Sequence, residues 1–406
     1  MTNVSTTNVL SADQVQVVLK NFGRAKLADY FGDLVIYRNL EPLDRRLPGL
    51  KAAAYKMEIA NDRIPRKQDP AYAKAAVWFA KQAQQKLRRN PTPLSEILFV
   101  GDTRYNDGQA YTNMKQMAEW NGSCFIGNEK AGEPYKTEID DHEGIFSANR
   151  WTALSDWIAW TLDQGLHLDE RTVVIVDIDK TALGAKGRND QVINEARLEG
   201  IFRTMDAVLG ENFDRAAFER QYAELNRSRY HFLTEDNQDY LAYICLVLNA
   251  GLISYDEVLA EIQNGSLENF EQFLRWVDIR LMGRSLGGES LRQVHEAVLG
   301  SVRTGDPTPF KSFRRQEFIT TVERMGNMPD DAPVEELLAH EITLTNEVCE
   351  LSEWLQARGC LLLCLSDKPD EASTPDRHLS ADLPPVHKAE THRVGASIAA
   401  QLAAMG

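Results

Sequence analysis

Asp177 and Asp179 carry the clearest chemical potential in this chain, because they close an apolar run, Thr172-Val-Val-Ile-Val-Asp177-Ile-Asp179-Lys-Thr181. Side chains along a strand alternate faces, so the two carboxylates project together from its C-terminal end while Ile178 points away. That end is where open α/β sheets carry their ligand sites. Two acids so placed can divide labour. One attacks phosphorus, the other moves a proton, and together they favour a hard cation that neutralises substrate oxygens. The plain alternative is a buried strand stopped by polar turn residues. A calcium loop with ligands at Asp177, Asp179 and Thr181 fails, since Ala182 stands in place of its glycine and Arg188 in place of its closing glutamate.

Two more apolar runs end in reactive groups. Glu96-Ile-Leu-Phe-Val-Gly101-Asp102-Thr-Arg-Tyr-Asn106-Asp107-Gly108 ends in paired acids, and Cys360-Leu-Leu-Leu-Cys-Leu-Ser366-Asp367-Lys368-Pro369 ends in a hydroxyl. Each has a local explanation: Asp107-Gly108 is a common hairpin turn, and Ser366 to Pro369 an ordinary strand exit. Three such strand ends in one chain are harder to dismiss. Together they resemble the haloacid dehalogenase superfamily of phosphatases and phosphotransferases. Its first motif is Asp-x-Asp-x-Thr, its second a Ser or Thr after a strand, its third a Lys, and its fourth Gly-Asp followed by a nearby acid.

The order departs from that family, whose fourth motif normally comes last, whereas Gly101-Asp102 here precedes Asp177. Two concatenated domains or one circularly permuted domain would explain this. The permuted reading uses every piece once. Leu27 to Tyr37 looks like the family's third strand, Arg66-Lys67-Gln-Asp-Pro-Ala-Tyr like its lysine motif, and Asn121 to Gly127 like its fifth strand. Leu351 to Gly359 resembles the helix before the second motif, and little recognisable strand sequence follows Ser366.

The resemblance implies a Rossmann-like α/β core with a parallel sheet, permuted, and a magnesium-dependent phosphatase acting on a small phosphorylated metabolite. Asp177 would be the nucleophile that forms an aspartyl-phosphate, and Asp179 the group that protonates the leaving oxygen and then activates water. The carboxylates of Asp177, Asp102 and Asp107 and the backbone carbonyl of Asp179 would surround Mg²⁺. Ser366 would bind a phosphoryl oxygen, Lys67 would neutralise charge shared by nucleophile and phosphate, and Thr181 would orient the loop. Lys388 competes for the lysine role because it follows the second motif. Lys67 has the better context, preceding Asp69-Pro70 and a helical run from Ala71 to about Leu87 that leads into the strand ending at Asp102. Lys180 stands where many relatives have glycine. Alternatives are a phosphotransferase or mutase of the same superfamily, a non-catalytic binding protein, or a dehalogenase. The last needs neither Asp179 nor a metal site, and a binding protein should have lost at least one acid.

Between Thr181 and about Thr345 short apolar runs give way to helical periodicity. Asp190 to Gly210 forms one amphipathic pattern, followed by Ala216 to Leu225, Asp239 to Leu248, Tyr255 to Ile262, Leu267 to Ile279 and Leu291 to Val302. The expected organisation is therefore a core segment 1–181, an all-helical cap 182–345 inserted between the first and second motifs, and a second core segment 346–406. A cap excludes water and reads the non-reacting part of a substrate. Its polar clusters, Asn226 to His231 and Lys311 to Arg315, read mainly as surface charge. The tail containing His387 and His392 reads as a solvated loop, since no third ligand has metal-site spacing.

The 406 residues suit two compact units, and 43% hydrophobic content supports ordinary cores. A net charge of −15, from 45 basic and 60 acidic residues, argues against nucleic acid or an anionic membrane as partner. No stretch approaches the roughly 20 apolar residues of a membrane span. The N-terminus lacks signal-peptide character, and the five cysteines show no zinc pairing. A reducing cytoplasm is the simplest expected location. The sequence fixes no oligomeric state.

Overall fold

In the computed structural model, described over residues 18–60, 63–283 and 288–406, the chain forms two units. The first takes the described residues of Met1–Glu195 with Thr321–Thr374 and Asp382–Gly406. The second takes Ala196–Thr320 and Pro375–Ala381.

The first unit contains the strands β1 (Lys20–Ala25), β2 (Val35–Ile36), β3 (Glu96–Gly101), β4 (Asn121–Gly127), β5 (Thr137–Asp140), β6 (Ile145–Ala148), β7 (Thr172–Val176), β8 (Leu344–Thr345), β9 (Leu361–Leu365) and β10 (Thr391–Gly395). Seven form one sheet in the order β2-β9-β7-β3-β4-β6-β5, parallel except for the β5–β6 pair. Parallel sheets are covered on both faces, and this dictates the unbroken apolar runs of β3, β7 and β9. Ile97, Phe99, Val173, Ile175, Leu361 and Leu363 face a core shared with the helices Leu50–Met57, Pro70–Leu87 and Gln109–Ala118. The alternate residues Leu98, Val100, Val174, Val176 and Leu362 are equally buried. Each such side chain contributes about 1.5–3 kcal/mol relative to exposure, so the register is strongly held. Glu96 lies opposite Thr172 and Val100 opposite Val176, while Val176 lies opposite Cys364. The three chemically marked strand ends therefore share one edge.

A second sheet, β1-β10-β8, overturns two expectations about the tail. A strand does follow Ser366, and its histidine is not solvated. His392 is fully buried, with Nδ1 2.8 Å from Glu341 Oε1, and that oxygen also accepts from the Thr391 hydroxyl (2.6 Å) and the His392 amide (2.9 Å). Met328 N–H donates to the other oxygen at 3.0 Å. His387 is buried too, 3.0 Å from Asp33. Polar residues that would mark a loop are interior here because each finds a partner.

Burial alone would raise the Glu341 carboxyl, but these donors outweigh it and hold it below the usual carboxylate range. A depressed carboxyl contributes stability above its unfolded pKa and loses it as pH falls through the folded one. Glu341→Gln is accordingly expected to destabilise the first unit by about 1–3 kcal/mol at pH 7, and the deficit should shrink below about pH 4. Urea unfolding midpoints at the two pH values test this; a deficit that grows in acid would refute it.

The second unit is helical. Helices Arg215–Leu225, Gln238–Asn249, Tyr255–Gln263, Phe270–Gly283 and Gly288–Arg303 match the expected periodic segments to within a few residues, and they enclose a separate core around Phe218, Tyr243, Phe270 and Phe273. A capping box between Ser254 and Glu257 starts the third of these. Lys311–Val322 is a further helix and carries the polar cluster expected at the surface. Contrary to that expectation Arg314 is buried, bonding Asp239 (2.6 Å) and Glu317 (2.6 Å). Arg227 and Arg229 remain at the surface.

The unit boundaries also differ from the expected 182–345. The helix Asp190–Leu209 begins in the first unit and continues in the second, so no break in periodicity marks the change. Residues up to Glu195 and from Thr321 belong with the sheets, while Pro375–Ala381 joins the helical unit, where Asp376 pairs with Arg315 at 3.0 Å.

Candidate active site

β7 ends by donating Asp177 N–H to the Val100 carbonyl of β3 (2.9 Å), which fixes the acid beside Gly101. The chain then curls, Ala182 N–H reaching the Asp177 carbonyl (3.2 Å) and Leu183 N–H the Ile178 carbonyl (2.9 Å). Lys180 sits in the left-handed region at φ +65°. A glycine would occupy that conformation freely, whereas a side chain costs about 1 kcal/mol. The Thr181 carbonyl accepts from the Thr345 hydroxyl (2.5 Å), so this residue anchors the loop. Its own buried hydroxyl has no hydrogen-bond partner among the described residues.

β3 delivers the second pair of acids. Residues Arg104–Gly108 form a π-helical turn, not a hairpin, and it folds Asp107 back over Gly101. A Cβ at position 101 would lie 2.5 Å from the Asp107 side chain, so only glycine allows the approach. One Asp107 oxygen accepts from the Asp102 amide (3.1 Å), the Thr103 amide (3.0 Å) and the Thr103 hydroxyl (3.0 Å). The other accepts from Lys67 Nζ at 2.7 Å.

Lys67 bridges the two strands. Its ammonium also bonds Asp177 Oδ1, and all three residues are almost completely buried. Asn113 Nδ2 donates to the Gln68 carbonyl (3.0 Å), tying the lysine's loop to the helix Gln109–Ala118. Lys388 is elsewhere, paired with Asp33 at 2.6 Å at the surface.

Carboxylate oxygens of Asp102, Asp107 and Asp177 lie within 4.8 Å of one another. Burial alone would lower the Lys67 ammonium, but Asp107 and Asp177 outweigh it and hold it well above the usual lysine range. Burial raises Asp177 well above the usual carboxylate range; Lys67 opposes this, while Asp107 and Asp102 add to it. Burial, then repulsion from Asp107, also raises Asp102. Asp107 stays below that range because Lys67 and the Thr103 donors outweigh its burial. Three carboxylates facing one fully buried ammonium thus hold more negative charge than the site easily tolerates.

Such a set of hard oxygens suits Mg²⁺. Asp107 already accepts from four donors, about the capacity of a carboxylate. Asp102 and Asp177 would therefore be the better placed to hold such a cation directly.

Ser366 continues β9, its amide donating to the Ile36 carbonyl (3.0 Å) and its buried hydroxyl accepting from the Lys368 amide (3.1 Å). The Asp179 carboxylate stands apart from the three clustered acids, 3.4 Å from the Lys368 ammonium. Two further lysines, Lys368 and Lys186, stand at this edge. Lys368 passed as part of a strand exit although it stands two residues after Ser366. Lys186, which lies 2.9 Å from the Asp102 carboxylate, carried no signal in the sequence at all.

Comparisons of the chain with protein-family models, curated proteins and solved structures find no match.

Proposed function

We propose that the protein is a Mg²⁺-dependent phosphatase that hydrolyses a small phosphorylated metabolite through an aspartyl-phosphate. The observation that carries this reading is the Lys67 bridge between Asp107 and Asp177, beside Asp102, at the C-terminal edge of adjacent parallel strands. Nothing about a structural ion pair requires a third carboxylate in the same cluster. A site that must hold a dianionic phosphoryl group and its counter-ions does.

The strand arrangement supports the permuted form of the reading. Asp102 and Asp177 follow neighbouring strands of one sheet, and β2, β9, β7, β3 and β4, the five strands that the resemblance requires, stand side by side, each once. The helical unit enters the chain between β7 and β9, where the superfamily inserts its cap, and we assign it that role.

Asp177 attacks phosphorus, its oxygen forming the new P–O bond while the bond to the leaving oxygen breaks and Asp179 supplies the proton. Asp179 then takes a proton from water, which attacks the phosphoenzyme and releases phosphate with Asp177 restored. Lys67 stabilises charge on the nucleophile and on the transferring group, and Ser366 donates its hydroxyl to a phosphoryl oxygen. Held by Asp102 and Asp177, Mg²⁺ would neutralise phosphoryl charge as a Lewis acid.

A screen of phosphorylated metabolites with Mg²⁺ tests the whole reading. Phosphate release is expected for at least one small monoester, lost on chelation and restored by Mg²⁺. Full activity after rigorous metal removal, or no release from any substrate, would overturn it.

A further inference from the structure

Lys186 takes no part in the chemistry proposed above, yet its ammonium lies against one of the three clustered acids. Its ammonium contacts Asp102 twice, at the carboxylate (2.9 Å) and at the main-chain carbonyl (3.0 Å). The backbone around it is fastened on every side. Lys186 N–H donates to the Lys180 carbonyl (2.8 Å), and its own carbonyl accepts from the Glu129 amide (2.9 Å) and the Trp151 indole (3.2 Å). Gly187 follows at φ +77°, where a Cβ would fall 1.9 Å from the Glu129 carbonyl oxygen. Arg188 is then buried between Glu129 (2.6 Å) and Glu347 (2.9 Å). A surface lysine that met an acid by chance would not need this scaffold.

The charge count gives the placement a purpose. Fully ionised, as a bound cation would hold them, Asp102, Asp107 and Asp177 with the Lys67 ammonium sum to two negative charges, the complement of one divalent cation. Lys186 removes one of them by occupying Asp102, one of the two acids with spare lone pairs. We propose that Lys186 is a tethered counter-ion that holds Asp102 before a divalent cation arrives and competes with that cation for it. This inference rests on the phosphatase reading and its metal site. Its consequence is that the cation binds tightly only together with a dianionic substrate, which gives the displaced ammonium a new partner. Metal and substrate then enter cooperatively.

Mn²⁺ binding to the full chain, followed by loss of the free-ion EPR signal, tests this without turnover. Lys186→Met keeps the apolar stem and deletes the charge; it is expected to bind Mn²⁺ about tenfold more tightly than the wild type, the effect of removing one nearby positive charge from a partly buried site. Lys186→Arg should stay close to wild type. Lys180→Met, which removes a charge paired with Asp190 at 3.8 Å instead, should differ less than twofold. Inorganic phosphate should narrow the gap between Lys186→Met and wild type. Measurable binding by the wild type with less than threefold tightening in Lys186→Met would overturn the counter-ion role and leave the metal site intact. Absence of binding in both proteins would remove the metal site and the inference together.

Discussion

Asp177→Asn is expected to yield a folded protein whose phosphate release falls by on the order of 10⁴-fold or more, since an amide is a poor nucleophile toward phosphorus. Folding should survive because the substitution keeps the shape of the side chain. It also relieves a crowded cluster: burial, Asp107 and Asp102 all resist ionisation at position 177 in the free protein. The variant should therefore melt no lower than the wild type by more than the loss of one bond to Lys67 allows, about 1–3 kcal/mol. Phosphate release and a thermal melt on the same preparation separate the two effects. Turnover near wild type in this variant would reject Asp177 as nucleophile.

Lys67→Ala should fail on both counts. Removing the ammonium leaves Asp107 and Asp177 buried without it, a loss of about 3–5 kcal/mol for a broken buried pair. Turnover, read well below the melting temperature, should drop by about 10²–10³-fold, as for other groups that stabilise developing charge. The stability loss should be smaller in mild acid, where the orphaned carboxyls can take up protons. Lys388→Ala is the control. Its pair with Asp33 is roughly half exposed on each side, so deletion should cost less than about 1 kcal/mol and leave turnover within about twofold. A larger loss of activity at position 388 than at 67 would overturn the choice of lysine.

The parts of this structure that were legible in the sequence share a physical cause. β3, β7 and β9 are buried on both faces, so they had to be continuous apolar runs, and a polar residue at their ends stood out. Lys67 could be found because a strand, a lysine and a helix starting at Pro70 came in the expected succession. Lys186 and Lys368 were hidden because their positions depend on loop paths, which no periodicity encodes. β10 was hidden for the opposite reason: Thr391 and His392 look solvated, but Glu341, distant in sequence, satisfies them inside. Of the strand expected over Leu27 to Tyr37 only Val35–Ile36 forms, since Ala28–Phe31 is helical, and the two-residue β8 is too short for any alternation to register. The limits of the helical unit could not be read because the helix Asp190–Leu209 crosses from one unit into the other unbroken.

The place of β9 in the sheet sets an order of events during synthesis. β2, β3, β4 and β7 leave the ribosome early, but β9 lies between β2 and β7 and is encoded only at Leu361–Leu365. Until then the nascent chain carries the apolar strand β7 with one row of backbone groups unpaired, and β2 has no neighbour in the sheet. The helical unit, complete at Thr320 apart from Pro375–Ala381, emerges during that interval. Exposed strand edges of this kind invite pairing with other chains. Closing the gap joins segments far apart in sequence, which is slow for any sheet. The same closure brings Ser366 to the edge already holding Asp102 and Asp177, so the half-made chain has its acids but not its hydroxyl. A chain that stops before Leu361 therefore leaves the edge of β7 unpaired and lacks Ser366.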